Sequence, residues 1–117
     1  MPDWSIKIVA GRNRGDPAVF VPDLDGAQPG DPLIASPNDL VSWNNTTREE
    51  HQPWPAGSDF QALTEDKVPP AFYLSNKIPP DDSSRPSWVV SSPLSGNTLF
   101  YCCRLHEGEH GQIIVAA

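Results

Sequence analysis

The stretch Tyr101–Gln112, YCCRLHEGEHGQ, contains both cysteines of the chain and two of its three histidines. The residues that lead to Cys102 are rich in β-forming side chains, and Gln112–Val115 has the composition of a further strand. Cys103 is therefore expected at the end of one strand, with His106 three residues later in a tight loop before the next. A thiolate and an imidazole placed in this way can bind one metal ion while the backbone turns.

The remaining histidine, His51, lies eight residues after Trp43, in the loop that follows another expected strand. Two imidazoles and one thiolate with a weak fourth ligand form a donor set that suits copper cycling between Cu(I) and Cu(II). The sequence therefore predicts one copper ion per chain, bound by His51, Cys103 and His106. A buried structural thiol is the alternative for Cys103. Its neighbour Cys102 points to the opposite face of the strand and is expected to be a packed thiol that does not bind the metal.

The rest of the chain predicts short strands that are separated by turns. Apolar runs, most of them bounded by Gly, Pro, Asp or Asn, indicate strands at Trp4–Val9, Ala18–Val21, Leu33–Ile34, Leu40–Asn44, Ser87–Ser91, Thr98–Cys102 and Gln112–Val115. About seven short strands of this kind are typical of an all-β antiparallel sandwich or barrel.

The tryptophans indicate where the core of this sandwich lies. The alternation within Leu40–Asn44 predicts that Val41 and Trp43 share the buried face of one strand. Trp88 is likewise expected in the core. Trp54, in a proline-rich stretch next to His51, is expected either to cover the ligand loop or to shape a surface for a partner protein.

The length of 117 residues predicts a single domain that spans 1–117. Fourteen prolines disfavour long helices throughout the chain. Between residues 52 and 86 hydrophobic periodicity is lost, which predicts a long Pro-rich loop region with one short helix near Asp59–Asp66.

The formal charge of −7 argues against nucleic acid and anionic membrane surfaces as partners, because both require a basic face. It suits a basic protein partner, although many soluble proteins are simply acidic. No apolar run approaches the roughly 18 residues of a membrane span. The first residues lack the basic start and apolar block of an export signal, so the chain is expected to be either cytosolic or the mature form of an exported protein.

The Tyr101–Gln112 stretch resembles the ligand loop of the small blue copper proteins, the cupredoxins, and most closely the amicyanin and plastocyanin branch. The family pattern is aromatic-x-Cys-x-x-His-x-x-Met-x-Gly-x-hydrophobic. Five positions of this pattern are matched in register, namely Tyr101, Cys103, His106, Gly111 and Ile113.

A second family segment is matched upstream, where a strand ends in Trp-x-Asn and a histidine follows six residues after the Asn. Trp43, Asn45 and His51 occupy these positions, so the resemblance covers roughly residues 38–54 and 94–115. It implies a Greek-key β-sandwich of seven to eight strands, one copper ion and electron transfer with a redox protein partner. An exported, for instance periplasmic, location is expected if the chain is a mature form. The sequence has no Gly-rich phosphate loop and no paired CxxC motif, so an electron carrier is expected and not an enzyme.

The chain departs from the family at the axial methionine, whose position is occupied by Glu109, while the only methionine is Met1. A carboxylate is a harder donor than a thioether, so it should favour Cu(II), lower the reduction potential and move the site towards tetragonal geometry. Red copper proteins of the superfamily use such ligands. His110 becomes the alternative if the register slips by one residue, and a solvated surface charge is the other interpretation of Glu109. Gln52 stands where the family often has Asn or Thr bonded to the Cys loop.

The missing methionine also leaves a second function open. A hard or absent axial ligand is compatible with an atypical copper site of the red or green type, which would carry out small-molecule chemistry or handle copper for delivery.

Overall fold

The structure, a computed structural model, describes residues 2–13 and 15–117; Met1 and Arg14 lie outside this part. Its strands are β1 (Asp3–Val9), β2 (Val19–Pro22), β3 (Leu33–Ala35), β4 (Leu40–Asn45), β5 (Pro53–Ala56), β6 (Trp88–Val89), β7 (Thr98–Cys103) and β8 (His110–Val115). Three short 3-10 turns lie at Glu65–Lys67, Pro70–Phe72 and Ser92–Leu94. The predicted all-β class is confirmed.

The strands form two four-stranded sheets, with the orders β2-β1-β4-β6 and β3-β8-β7-β5. Two pairs, β1 with β4 and β3 with β8, are parallel, whereas the others are antiparallel. The expectation of a purely antiparallel sandwich is therefore wrong in this respect. Parallel neighbours need a crossover connection, and here the chain crosses to the second sheet as β3 before it returns beside β1 as β4. The eight strands in two packed sheets form the predicted β-sandwich.

The core lies between the two sheets and is centred on aromatic side chains. Val41 and Trp43 are fully buried on one face of β4, as the alternation predicts, and Trp88 joins them in the core. The Tyr101 ring makes edge-on contacts with Phe20 and Trp43, at centroid distances of 4.8 and 5.4 Å. These rings anchor β7, the strand that ends at Cys103, against the opposite sheet.

Strand β5 lies inside the region that the sequence predicts as loop. Its sequence, PWPA, lacks the β-branched residues that indicate strands, but β5 is the last strand of its sheet. An edge strand tolerates proline because one side of its backbone needs no ladder hydrogen bonds. The predicted helix near Asp59–Asp66 is also wrong, since that segment contains only the start of the 3-10 turn Glu65–Lys67. Trp54 Nε1 instead donates to Leu63 O at 2.7 Å and binds this segment to the sheet.

The hairpin of β7 and β8 presents the ligand loop at one end of the sandwich. Tyr101 lies opposite Gly111 in the register, and any Cβ at residue 111 would collide with the tyrosine ring. Gly108 has a φ of +85°, a conformation that glycine adopts without strain. The two glycines thus allow the loop to close tightly beside the core.

Candidate metal centre

Four side chains converge at the end of the sandwich where β7 stops. The ligand atoms of His51, Cys103, His106 and Glu109 all lie within 4.8 Å of one another. The Cys103 sulfur is 3.7 Å from His51 Nδ1 and 3.4 Å from His106 Nδ1. The Glu109 oxygens lie 2.8 and 3.4 Å from the same two nitrogens. The four residues that the sequence singles out as metal ligands are thus brought to one point.

The ligand loop is closed by its own backbone. Cys103 is the last residue of β7, and its N–H donates to Glu109 O at 3.2 Å, which holds the two ends of the loop together. His106 lies within this loop, where its Nδ1 atom faces the cysteine sulfur. A closed loop of this kind brings the sulfur of Cys103, the imidazole of His106 and the carboxyl group of Glu109 side by side.

Pairing of β5 with β7 brings the upstream segment to the loop. Gln52 N–H points at the Cys103 sulfur, 3.5 Å away, and Gln52 O accepts from Arg104 N at 2.9 Å. The Gln52 side chain turns away and donates to Ser75 O at 3.1 Å. The contact with the cysteine is therefore made by the backbone, so the departure from Asn or Thr at this position leaves it in place.

His51 is held from both sides of its ring and is 2% exposed. Its backbone forms a bridge with Ile78, with N–H to O distances of 3.1 and 2.7 Å. Nδ1 faces Glu109, and Nε2 lies 2.8 Å from Thr47 Oγ1. The ring therefore presents Nδ1 to the cluster and Nε2 to the protein.

Glu109 is 2% exposed, which rules out the interpretation of this residue as a solvated surface charge. A buried carboxylate needs a partner, and His51 supplies one. His110 instead lies on the surface, stacked on Phe60 with ring centroids 4.4 Å apart. The slipped register, with His110 in the cluster, is therefore not observed.

The electrostatics of the metal-free cluster favour a proton on His51. Burial alone lowers the pKa of His51, but hydrogen bonds to Cys103 and Glu109 and their negative charge outweigh it and raise the pKa to about 9. A metal ion would have to displace this proton from Nδ1, so binding and proton release are coupled.

Cys102 lies beside the cluster and remains a protonated thiol at neutral pH. Burial, together with the nearby charges of Cys103 and Glu109, raises the pKa of Cys102 to about 11. Both cysteines are free, and Cys102 is outside the group of converging ligand atoms. This agrees with the expectation of a packed thiol.

Trp54 does not form part of an exposed partner surface, since it is 1% exposed. The guanidinium of Arg104 lies over its ring at 4.1 Å and also pairs with Glu65 at 2.9 Å. Trp54 was expected either to cover the ligand loop or to shape a partner surface. The structure shows the first, since Trp54 contacts Arg104 of that loop.

Two residues that contact the cluster from outside were not found from the sequence. Thr47 contacts His51, and the Glu49 carboxylate lies 2.9 Å from Nε2 of His106, whose side chain is 30% exposed. Both residues belong to the polar stretch between Trp43 and His51, in which no spacing rule shows which side chains turn inward.

The donor set is chemically suited to copper. A thiolate and two imidazoles are donors that copper accepts in both oxidation states, and a carboxylate is a hard fourth donor. The same four donors would also suit zinc, so the donor set alone does not distinguish the two metals and the fold must be considered as well.

Neither the family models nor the curated proteins include a match to this chain. Solved structures do match in fold. A reduced Cu(I) form of an amicyanin variant at pH 4 has a TM-score of 0.54 and 14% identity, over 95% of this chain and 79% of that one. Oxidized plastocyanin from Dryopteris crassirhizoma has a TM-score of 0.55 and 12% identity, over 95% and 98% of the two chains.

A multicopper oxidase from the hyperthermophile Aquifex aeolicus also matches, with a TM-score of 0.52 and 16% identity. The match covers 97% of this chain but 26% of the oxidase. At these identities the likeness concerns the fold. The chain thus has the cupredoxin fold, and its cluster of His51, Cys103, His106 and Glu109 is consistent with a copper site of that fold in which the axial ligand is not methionine.

Proposed function

We propose that this protein is a single-copper electron carrier in which His51, Cys103 and His106 bind the metal and Glu109 is the fourth ligand. The observation that carries the proposal is the convergence of these four ligand atoms within 4.8 Å in a cupredoxin fold. Bound copper would supply the one-electron exchange between Cu(I) and Cu(II).

The protein's own contribution is to hold the donors still. His51 and Cys103 are buried, and the Cys103–Glu109 backbone hydrogen bond closes the loop that carries His106. Donors that are fixed in this way change position little between oxidation states, which keeps the reorganisation energy of electron transfer low. The buried, anionic Glu109 favours Cu(II), so we expect a lower reduction potential than a thioether would give.

The proposed electron port is the exposed edge of His106, beside Leu105, which is 37% exposed. The net charge of −7 favours a basic redox partner. Electron exchange with a small basic redox protein should slow as ionic strength rises, whereas a rate independent of salt would contradict a basic partner. Within the described part of the chain, no helix is long and apolar enough to cross a membrane. An exported location is part of the proposal and is tested by cell fractionation.

Copper binding is tested with the two adjacent cysteines as a matched pair. One equivalent of Cu(II) should produce a thiolate-to-copper charge-transfer band in the visible spectrum. The band should disappear in Cys103→Ala and persist in Cys102→Ala, since only Cys103 reaches the cluster. A wild-type protein without the band, or one that retains only zinc when both metals are offered, would refute the copper carrier.

A second candidate is small-molecule chemistry or copper handling at the same site. It is favoured by a groove of about 760 Å³ that is lined in part by His51, His106 and Glu109. Such a groove would give a small ligand access to the metal. Binding of azide to the copper form together with slow, poorly reversible voltammetry would support this candidate, whereas fast reversible voltammetry without azide binding would exclude it.

A further inference from the structure

The Asn45–Glu49 turn is a rigid structure built around one buried amide. Asn45 is fully buried, and its Nδ2 donates to Glu49 O at 2.7 Å and to Ile78 O at 3.0 Å. Its Oδ1 accepts from Thr47 N at 2.9 Å and from Thr47 Oγ1 at 2.8 Å. These contacts determine which way the amide points and hold Thr47 and Glu49 in place.

The turn determines the tautomer of His51. Asn45 Oδ1 and Glu49 O lie 2.8 and 3.1 Å from Thr47 Oγ1, and neither can donate, so the single hydroxyl hydrogen of Thr47 is directed to one of them. Thr47 Oγ1 must then accept at the 2.8 Å contact with His51 Nε2. His51 therefore carries a hydrogen on Nε2, and the lone pair available to a metal is that of Nδ1.

The same turn holds the second imidazole. Glu49 Oε2 lies 2.9 Å from His106 Nε2, and an ionised carboxylate can only accept. The neutral His106 ring thus carries its hydrogen on Nε2. Its Nδ1 faces the cluster, 3.4 Å from the Cys103 sulfur.

We infer that Glu49 is a positioning residue for His106 and that it holds this ring with Nδ1 towards the metal. The inference rests on the proposed function. An imidazole that donates to a carboxylate is a stronger metal donor, so Glu49 strengthens Cu(II) binding more than Cu(I) binding. The Glu49 side chain is 71% exposed, and an ion pair of this kind adds little to folding stability. Removal of the Glu49 carboxylate should therefore change the tautomer of His106 and leave the fold intact.

The first test uses the metal-free protein. Glu49→Ala removes the acceptor, Glu49→Gln keeps an acceptor without the charge, and Glu50→Gln removes one charge at the exposed neighbour. Long-range ¹⁵N NMR of the imidazoles, at a pH where His106 is neutral, reports its tautomer. We expect Nε2–H in the wild type, in Glu49→Gln and in Glu50→Gln, and a mixture of tautomers in Glu49→Ala.

The second test uses the copper form of the same variants. Glu49→Ala should bind Cu(II) roughly 10- to 100-fold more weakly. Each tenfold loss of Cu(II) affinity relative to Cu(I) raises the reduction potential by about 59 mV. Glu49→Gln should fall between Glu49→Ala and the wild type, and Glu50→Gln should remain close to the wild type.

The inference is overturned if Glu49→Ala matches Glu50→Gln in both tests, or if wild-type His106 carries its hydrogen on Nδ1. If the wild type binds no copper, the proposed function fails, and the NMR result still decides the role of Glu49.

Discussion

Nδ1 of His51 lies 2.8 Å from Oε1 of Glu109, and each residue is 2% exposed. Without a metal ion, this contact is a buried pair of an imidazolium and a carboxylate. The pair gives the metal-free protein a pH-dependent stability, and it is the contact that a metal ion must replace.

The metal-free protein should lose stability as pH rises from about 6.5 to about 9. The pKa of His51 is raised from 6.5 to about 9 in the folded state, so its contribution is complete below the lower value and lost above the higher one. The loss should be on the order of 3 kcal/mol at most. Urea unfolding across this pH range measures it. Glu109→Gln should make the stability depend less on pH, while the hydrogen bond to Cys103 preserves part of the dependence. An unchanged pH dependence in that variant would contradict the assignment.

Replacement of Glu109 by methionine should raise the reduction potential of the copper form. A thioether is softer than a carboxylate and removes a negative charge from beside the metal, so Cu(I) is favoured. Voltammetry measures the potential, and EPR measures the accompanying change in copper geometry. His110→Met is the matched control, because His110 lies on the surface against Phe60. Equal shifts in the two variants would show that Glu109 is not a ligand.

Gly111→Ala should destabilise the fold by about 1–3 kcal/mol, because the new methyl group collides with the Tyr101 ring in a packed core. Thermal or urea unfolding measures the change. Gly57→Ala is the comparison, since its Cβ would meet only the Asp59 side chain, at 3.0 Å. Similar losses of stability in both variants would mean that the collision with the Tyr101 ring is not what destabilises Gly111→Ala.

Asn45→Ala should cost roughly 2–3 kcal/mol of stability and weaken metal binding. It removes the donor that the Glu49 and Ile78 carbonyl groups share and releases Thr47 from its fixed position. Asn44→Ala is a matched control, because Asn44 is half-buried and its side chain makes a 3.4 Å contact with Ser83. The prediction fails if the two neighbouring variants unfold at the same urea concentration and bind copper equally.

Much of the sandwich could be predicted from local pattern. The alternation around Val41 and Trp43 shows the inner face of β4 directly, because a strand on a two-layer core must alternate. Strand direction has no such signal, so the parallel pairing of β1 with β4 and of β3 with β8 was not predicted. β5 was missed because its sequence opposes β propensity and only its position at a sheet edge permits it.

In the candidate site, too, some residues could be predicted from local sequence and others required the structure. His51, Cys103 and His106 were singled out because their spacing is set by two short chain segments, and Glu109 because it occupies the axial position of the family that the chain resembles. Thr47 and Glu49 were not, since their contacts depend on how one buried amide folds a turn. The burial of Glu109 also required the structure, because charged residues at such positions are normally exposed.

The two prolines of β5 have a consequence for how chains meet. Pro55 O faces away from β7 and accepts from Leu63 N at 3.0 Å, so the outward row of this strand includes residues 53 and 55. At both positions that row has no N–H to offer, and the carbonyl of Pro55 is already occupied. A neighbouring chain that approached this edge would find no N–H donor at residues 53 and 55 with which to extend the sheet. The strand that brings His51 to Cys103 thus also protects the protein against edge-to-edge aggregation.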